Sequence, residues 1–201
     1  MTNELAPKTA AQLKLLVRLL ISSEDFHHAA RIARYILENE LESKVKRSKD
    51  KAISQPKLLW EALNSAMIIA YCRPFSANDR RSVSKIPDLP TRFLKVLTKA
   101  EREVHNIAMN NRNTLLAHSD SEAWGMRTGF VEYASDKLYL VTPHRDVRAP
   151  IPSKSVRTLG MATIRLREAI STERMVLEKE LTNHIPIVNI VEFLTEDEKQ
   201  S

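Results

Sequence analysis

Residues 98–118, TKAEREVHNIAMNNRNTLLAH, read as a single helix with a heavy load of polar chemistry near its end. Thr98 and Glu101 match a T-x-x-E capping box, in which the threonine hydroxyl and the glutamate carboxylate each satisfy a free amide of the first turn. The helix opened this way is expected to run to about His118. Asn111, Arg112, Asn113 and His118 crowd its C-terminal half, and His105 sits two turns before Arg112. Polar groups in the buried part of a helix cost stability unless partners satisfy them.

Arg112 and His118 are six positions apart, which places them about 120° apart around a regular helix. They do not share a face. Asn111 lines up with His118, and His105 with Arg112, each pair seven positions apart. Groups splayed over two flanks would converge if a second helix, or a second copy of the same one, packed against them.

Working outward, the chain is helical on both sides of this segment. A first helix is expected from Lys8 to Ile21 on the spacing of Leu13, Leu16, Val17 and Leu20. The serines and acids of SSED, 22–25, read as the start of a second helix, from about Glu24 to Ser48. Phe26, Ala29, Ala30, Ala33, Ile36, Leu37 and Leu41 form its apolar face. Ser54 and Pro56 open a third helix that stops near Pro74 and buries Leu59, Leu63, Ala66, Met67 and Ala70. Trp60 belongs to the same face or its margin. Residues 73–90 read as a loop, followed by a short helical piece at Thr91–Leu97.

Beyond Gly125 the pattern alternates. TGFVEYASDKLYLVTP, 128–143, predicts a β-hairpin inserted at about 126–142. A long helix is expected at Lys154–Leu181, packed through Leu159, Ala162, Leu166, Ile170, Val176, Leu177 and Leu181, with Glu173 intruding. An acidic, frayed tail is expected to follow. The reading is one all-α domain over 1–201, a helical bundle with a small β-hairpin appendage.

Composition narrows the function. Only 3 glycines are present, against roughly 7% in typical proteins, so glycine-rich phosphate loops are excluded. Cys72 is the only cysteine, which rules out an internal disulfide and argues against a cysteine zinc site. His27 and His28 are adjacent and face different sides of a helix, so neither metal nor cofactor is expected. His144 and His184 stand in no constellation, and Ser119 lacks the G-x-S-x-G elbow of a serine hydrolase. The run at 13–21 is broken by Lys14 and Arg18, and no signal peptide or membrane span is evident, so a soluble, cytoplasmic protein is expected.

The formal charge is +6, and residues 73–102 hold eight Lys/Arg against three acids. A second basic run, KVKRSKDK, spans 44–51. Solvated helix ends explain such runs, and so does contact with a polyanion such as RNA. The basic end of the second helix also suits its dipole.

RNTLLAH, 112–118, resembles the R-x(4–6)-H motif of the HEPN superfamily, with Asn113 as the polar residue often found after the arginine. AHSD resembles the extension seen in HEPN proteins of bacterial abortive infection, and YCRPF at the end of the third helix agrees. The likeness covers about 8–118 plus the helix after the hairpin. It implies a HEPN-like bundle and a metal-independent endoribonuclease of defence or toxin–antitoxin type. Two protomers would pair with the motif at the homodimer interface, Arg112 and His118 would be catalytic, and Asn113 would orient the phosphate or the histidine. The implied product is a 2′,3′-cyclic phosphate, which makes RNA the substrate.

His105, Asn111, Arg73 and Trp124 are candidate RNA contacts, although core packing is the plainer role for His105 and Trp124. Toxins of this type paired with a nucleotidyltransferase often carry a tyrosine two residues after the histidine. Here that position is Asp120, which leaves a separate antitoxin protein, or none, as the alternatives. The rival reading is a non-catalytic HEPN-like module that binds RNA, a nucleotide or a protein partner.

Overall fold

The computed structural model describes residues 7–48, 54–76, 86–113, 129–133, 137–141 and 150–183. Helix α1 (Pro7–Glu38) is followed by α2 (Leu41–Arg47) and α3 (Gln55–Cys72), then α4 (Lys99–Asn111), strands β1 (Gly129–Tyr133) and β2 (Lys137–Val141), and α5 (Ser153–Leu181). The described core is helical throughout.

The SSED segment does not begin a helix; α1 runs straight through it for 32 residues. Ser22 is fully buried, and the stripe Leu16, Leu19, Phe26, Ala29, Ala33, Ile36 continues across it. No glycine or proline interrupts the segment, so burial of that stripe overrides the local preference of serine and aspartate for caps. The break comes later, at Asn39–Glu40. Asn39 caps the helix by donating Nδ2–H to the Tyr35 carbonyl at 3.0 Å, and Glu40 takes the left-handed conformation at φ 47°. The expected Glu24–Ser48 helix is therefore the second half of α1 plus α2.

Helix α3 starts after Ser54 with Pro56 in its first turn, and a 3₁₀ turn, Arg73–Phe75, extends it. Its core residues are Asn64, Met67, Ile68, Ala70, Tyr71 and Cys72. Leu59, expected inside, is 38% exposed. The segment before α4 forms a 3₁₀ turn, Thr91–Val96, that buries Phe93. Arg92 bonds Glu173 of α5 at 2.9 Å.

Helices α1 and α5 form the long axis of the bundle. Gln12 bonds Glu180 at 2.7 Å, and Gly160 packs on Ala33, so the two run antiparallel. Helix α5 buries Val156, Leu159, Ala162, Leu166, Ile170, Leu177 and Leu181, whereas Val176 is exposed. Helices α3 and α4 pack onto this pair and onto each other. Strands β1 and β2 pair antiparallel with Gly129 opposite Val141 and Tyr133 opposite Lys137.

Candidate functional site

The capping box that opens α4 is complete. Thr98 Oγ1 accepts the Glu101 amide at 3.3 Å, and Glu101 Oε2 accepts the Thr98 amide at 2.8 Å. Glu101 also accepts Arg165 Nε of α5 at 2.9 Å. Burial pushes its carboxyl upward, but the hydrogen bonds from Thr98 and Arg165 outweigh that and hold it below its ordinary value. This anchors the first turn of α4 to α5 and sets where its last turn lies.

At the far end Arg112 closes α4, its amide shared between the Ala108 and Met109 carbonyls. Residues 112–113 widen into a π-type turn. Such turns recur at functional sites. The regular 100° step therefore stops at Arg112. His118 and Trp124 lie outside the described residues.

Arg112 is half-buried, and its Nη1 donates to Asn113 Oδ1 at 2.9 Å. It makes no ion pair with a carboxylate among the described residues. Its charge reaches Cys72 at the end of α3. Burial pushes that thiol up to about 12, and Arg112 works in the opposite direction. Asn111 is half-buried beside it.

Arg73 is committed elsewhere: its Nη1 meets Asp25 of α1 at 3.4 Å. Desolvation raises the Asp25 carboxyl, and the bond and charge of Arg73 oppose that rise. His105 is 7% exposed. Its Nδ1 bonds the Tyr71 hydroxyl at 3.0 Å, and its ring meets Phe75 edge-on with centroids 5.0 Å apart. Burial lowers its pKa, so the imidazole is neutral at pH 7. Most of this ring belongs to the core. The described residues thus bring Arg112 and Asn113 together directly, with His105 and Arg73 each engaged by another partner.

Two concavities flank these helices. The larger, about 430 Å³, lies between α1 and α5, away from the motif, and is rimmed by Arg31, Arg34, Arg157 and Arg167. Only Arg34 among those four has a carboxylate partner within the described residues, Glu38 at 3.9 Å. The smaller, about 200 Å³, touches α4 itself and is lined by Thr91, Lys95, Arg102, His105 and Asn106.

Two contributors were missed in the sequence. Tyr71 was visible only as part of YCRPF. Arg18 looked like an interruption of an apolar run, yet it is 1% exposed and donates Nε–H to the Pro87 carbonyl. Among the described residues no cluster of His, Cys, Asp or Glu could hold a metal ion, and no helix is long and apolar enough to cross a membrane. No family model, curated protein or solved structure matches this chain.

Proposed function

We propose that this protein is a metal-independent endoribonuclease of bacterial defence or toxin–antitoxin type. Its fold in this reading is a HEPN-like bundle with a hairpin appendage, working as a homodimer with α4 at the interface. The observation that carries the reading is the state of Arg112. It is half-buried at a π-type turn, oriented by Asn113 at 2.9 Å, and unpaired with any described carboxylate. A guanidinium serving only structure at such a place is ordinarily neutralised by an acid. One held by a neutral amide and by no described acid suits a phosphate. The exposed Ile107 on the same helix supplies apolar surface for the second protomer.

In the proposed reaction the ribose 2′-oxygen attacks phosphorus and the P–O5′ bond breaks. One His118 imidazole takes the 2′-OH proton, and the partner subunit's His118 returns a proton to the departing 5′-oxygen. The two Arg112 side chains hold the charge that accumulates on the phosphoryl oxygens. The products are a 2′,3′-cyclic phosphate and a 5′-hydroxyl, and no metal takes part.

The test is cleavage of a mixed RNA pool in EDTA by the wild type, Arg112→Ala and His118→Ala at matched dimer content. Wild-type cutting with cyclic phosphate ends is expected, and each variant should lose about 10²–10⁴-fold in rate. RNA that is bound but never cut would instead favour the non-catalytic module.

A further inference from the structure

The smaller cleft has a buried histidine, His105, in its lining. Phe26, Tyr71, Phe75 and His105 form a cluster of rings with centroids 5.0 to 6.0 Å apart, so the imidazole cannot turn freely. Burial drives the Tyr71 phenol far above its ordinary value, which keeps it a protonated hydroxyl. The hydroxyl and Nδ1 are 3.0 Å apart, and the tautomer in which the hydroxyl donates there carries the ring's own proton on Nε2. His105 lines the cleft, and the second polar atom of its ring is Nε2. It has no hydrogen-bond partner among the described residues.

The walls are cationic. Arg102 Nη2 donates to the Lys95 carbonyl at 3.3 Å, which holds the guanidinium against the rim. The Lys95 ammonium makes no ion pair among the described residues. Thr91 and Asn106 add a hydroxyl and an amide, and no carboxylate among the described residues lines the space. A volume of about 200 Å³ is below the range of pockets that enclose whole small molecules and suits a single phosphate group. His105 stands seven residues, about 10 Å along the helix axis, from Arg112 and on the same flank. A single strand laid along α4 would offer one phosphate to each.

We propose that this cleft is a phosphate subsite that holds a backbone phosphate of the RNA strand running along α4 past Arg112. Lys95, Arg102 and His105 Nε2–H are its donors, and Tyr71 is the positioning residue that fixes the tautomer. The inference rests on the RNA reading above, and its test separates the two.

Inorganic phosphate is titrated into the full chain at constant ionic strength while the His105 ring signals are followed by NMR, with chloride as reference. Phosphate should shift those signals saturably. Lys95→Ala and Arg102→Ala should each weaken binding about tenfold, whereas Lys99→Ala, an exposed cation of the same helix outside the cleft, should leave it unchanged. In a His118→Ala background, where RNA stays intact, the same two variants should weaken RNA binding. Each should also lower the salt slope by about one.

The proposal is overturned if chloride moves the signals as much as phosphate does, or if Lys99→Ala weakens binding equally. It is also overturned if phosphate binds but RNA affinity and salt slope ignore the cleft variants, because the site would then take free phosphate only. RNA held through the cleft yet never cut by the wild type would uphold the subsite and remove the catalytic claim alone.

Discussion

Tyr71 and His105 meet at 3.0 Å in surroundings that exclude water from the phenol. Removing the hydroxyl with Tyr71→Phe leaves every ring contact in place but strands a buried imidazole nitrogen. The expected cost is about 1–3 kcal/mol, read as a lower urea midpoint with unchanged helical content. Both residues stand in plain view in the sequence, but their contact does not, because 34 positions separate them. Arg18 teaches the same point more sharply. Periodicity marked it as a break in an apolar run, and the neighbour that receives it, Pro87, is 69 residues away. By contrast, the link between Thr98 and Glu101 was legible because three residues of helix bring the two side chains together with no help from the rest of the chain.

At the scale of elements, helices α3 and α5 and the start of α4 follow their sequence signals closely, and the long α1 does not. Capping residues propose a boundary, but a boundary forms only where breaking the helix loses less than it gains. At Ser22 a break would have disrupted a continuous buried stripe; at Asn39–Glu40 it lets Leu41 turn into the core. The start of α5 has no side-chain cap of its own, since Pro152 precedes it. Glu42 of α2 fills that role from a distance, accepting the Ser153 amide at 2.7 Å and placing negative charge at the helix N-terminus.

Gly160 lies in the middle of α5, where a Cβ would meet Ala33 Cβ at 3.5 Å, an ordinary contact. Gly160→Ala is therefore expected to stabilise the fold by about 0.5–1 kcal/mol, since alanine favours helix and restricts the unfolded chain. A rise in thermal midpoint would verify it. A fall would mean that α1 and α5 have no room at their crossing.

For the whole molecule, two carboxylates tie separate elements to α5: Glu42 from α2 and Glu101 from α4. Hydrogen bonds from Lys46 and Ser153 hold Glu42 down at about 2, and Glu101 is also held below its ordinary value against the cost of its burial. Groups with depressed folded-state values stabilise the protein fully above the unfolded carboxyl range. That stability is lost as pH falls from about 4.5 toward 2. Glu42 should contribute about 1–2 kcal/mol once its solvated partner Lys46 is allowed for, and Glu101 contributes in the same direction. Replacing both with glutamine should lower stability at pH 7 and flatten its decline below pH 4.5, measured by urea melts across that range. A decline as steep as wild type would assign acid sensitivity to other groups.

What residue order determined by itself is local: helical class, the capping box of α4, the amphipathic faces, and the placing of Arg112 and Asn113 side by side. Those depend on interactions across three or four positions, and the backbone alone brings such residues together. Tertiary structure decided where α1 ends, that Arg18 and His105 face inward, that Arg73 is tied to Asp25, and that Arg112 meets no acid among the described residues. Each of those outcomes turns on which distant side chain fills the adjoining space, and on whether burying a polar group is repaid by a partner there.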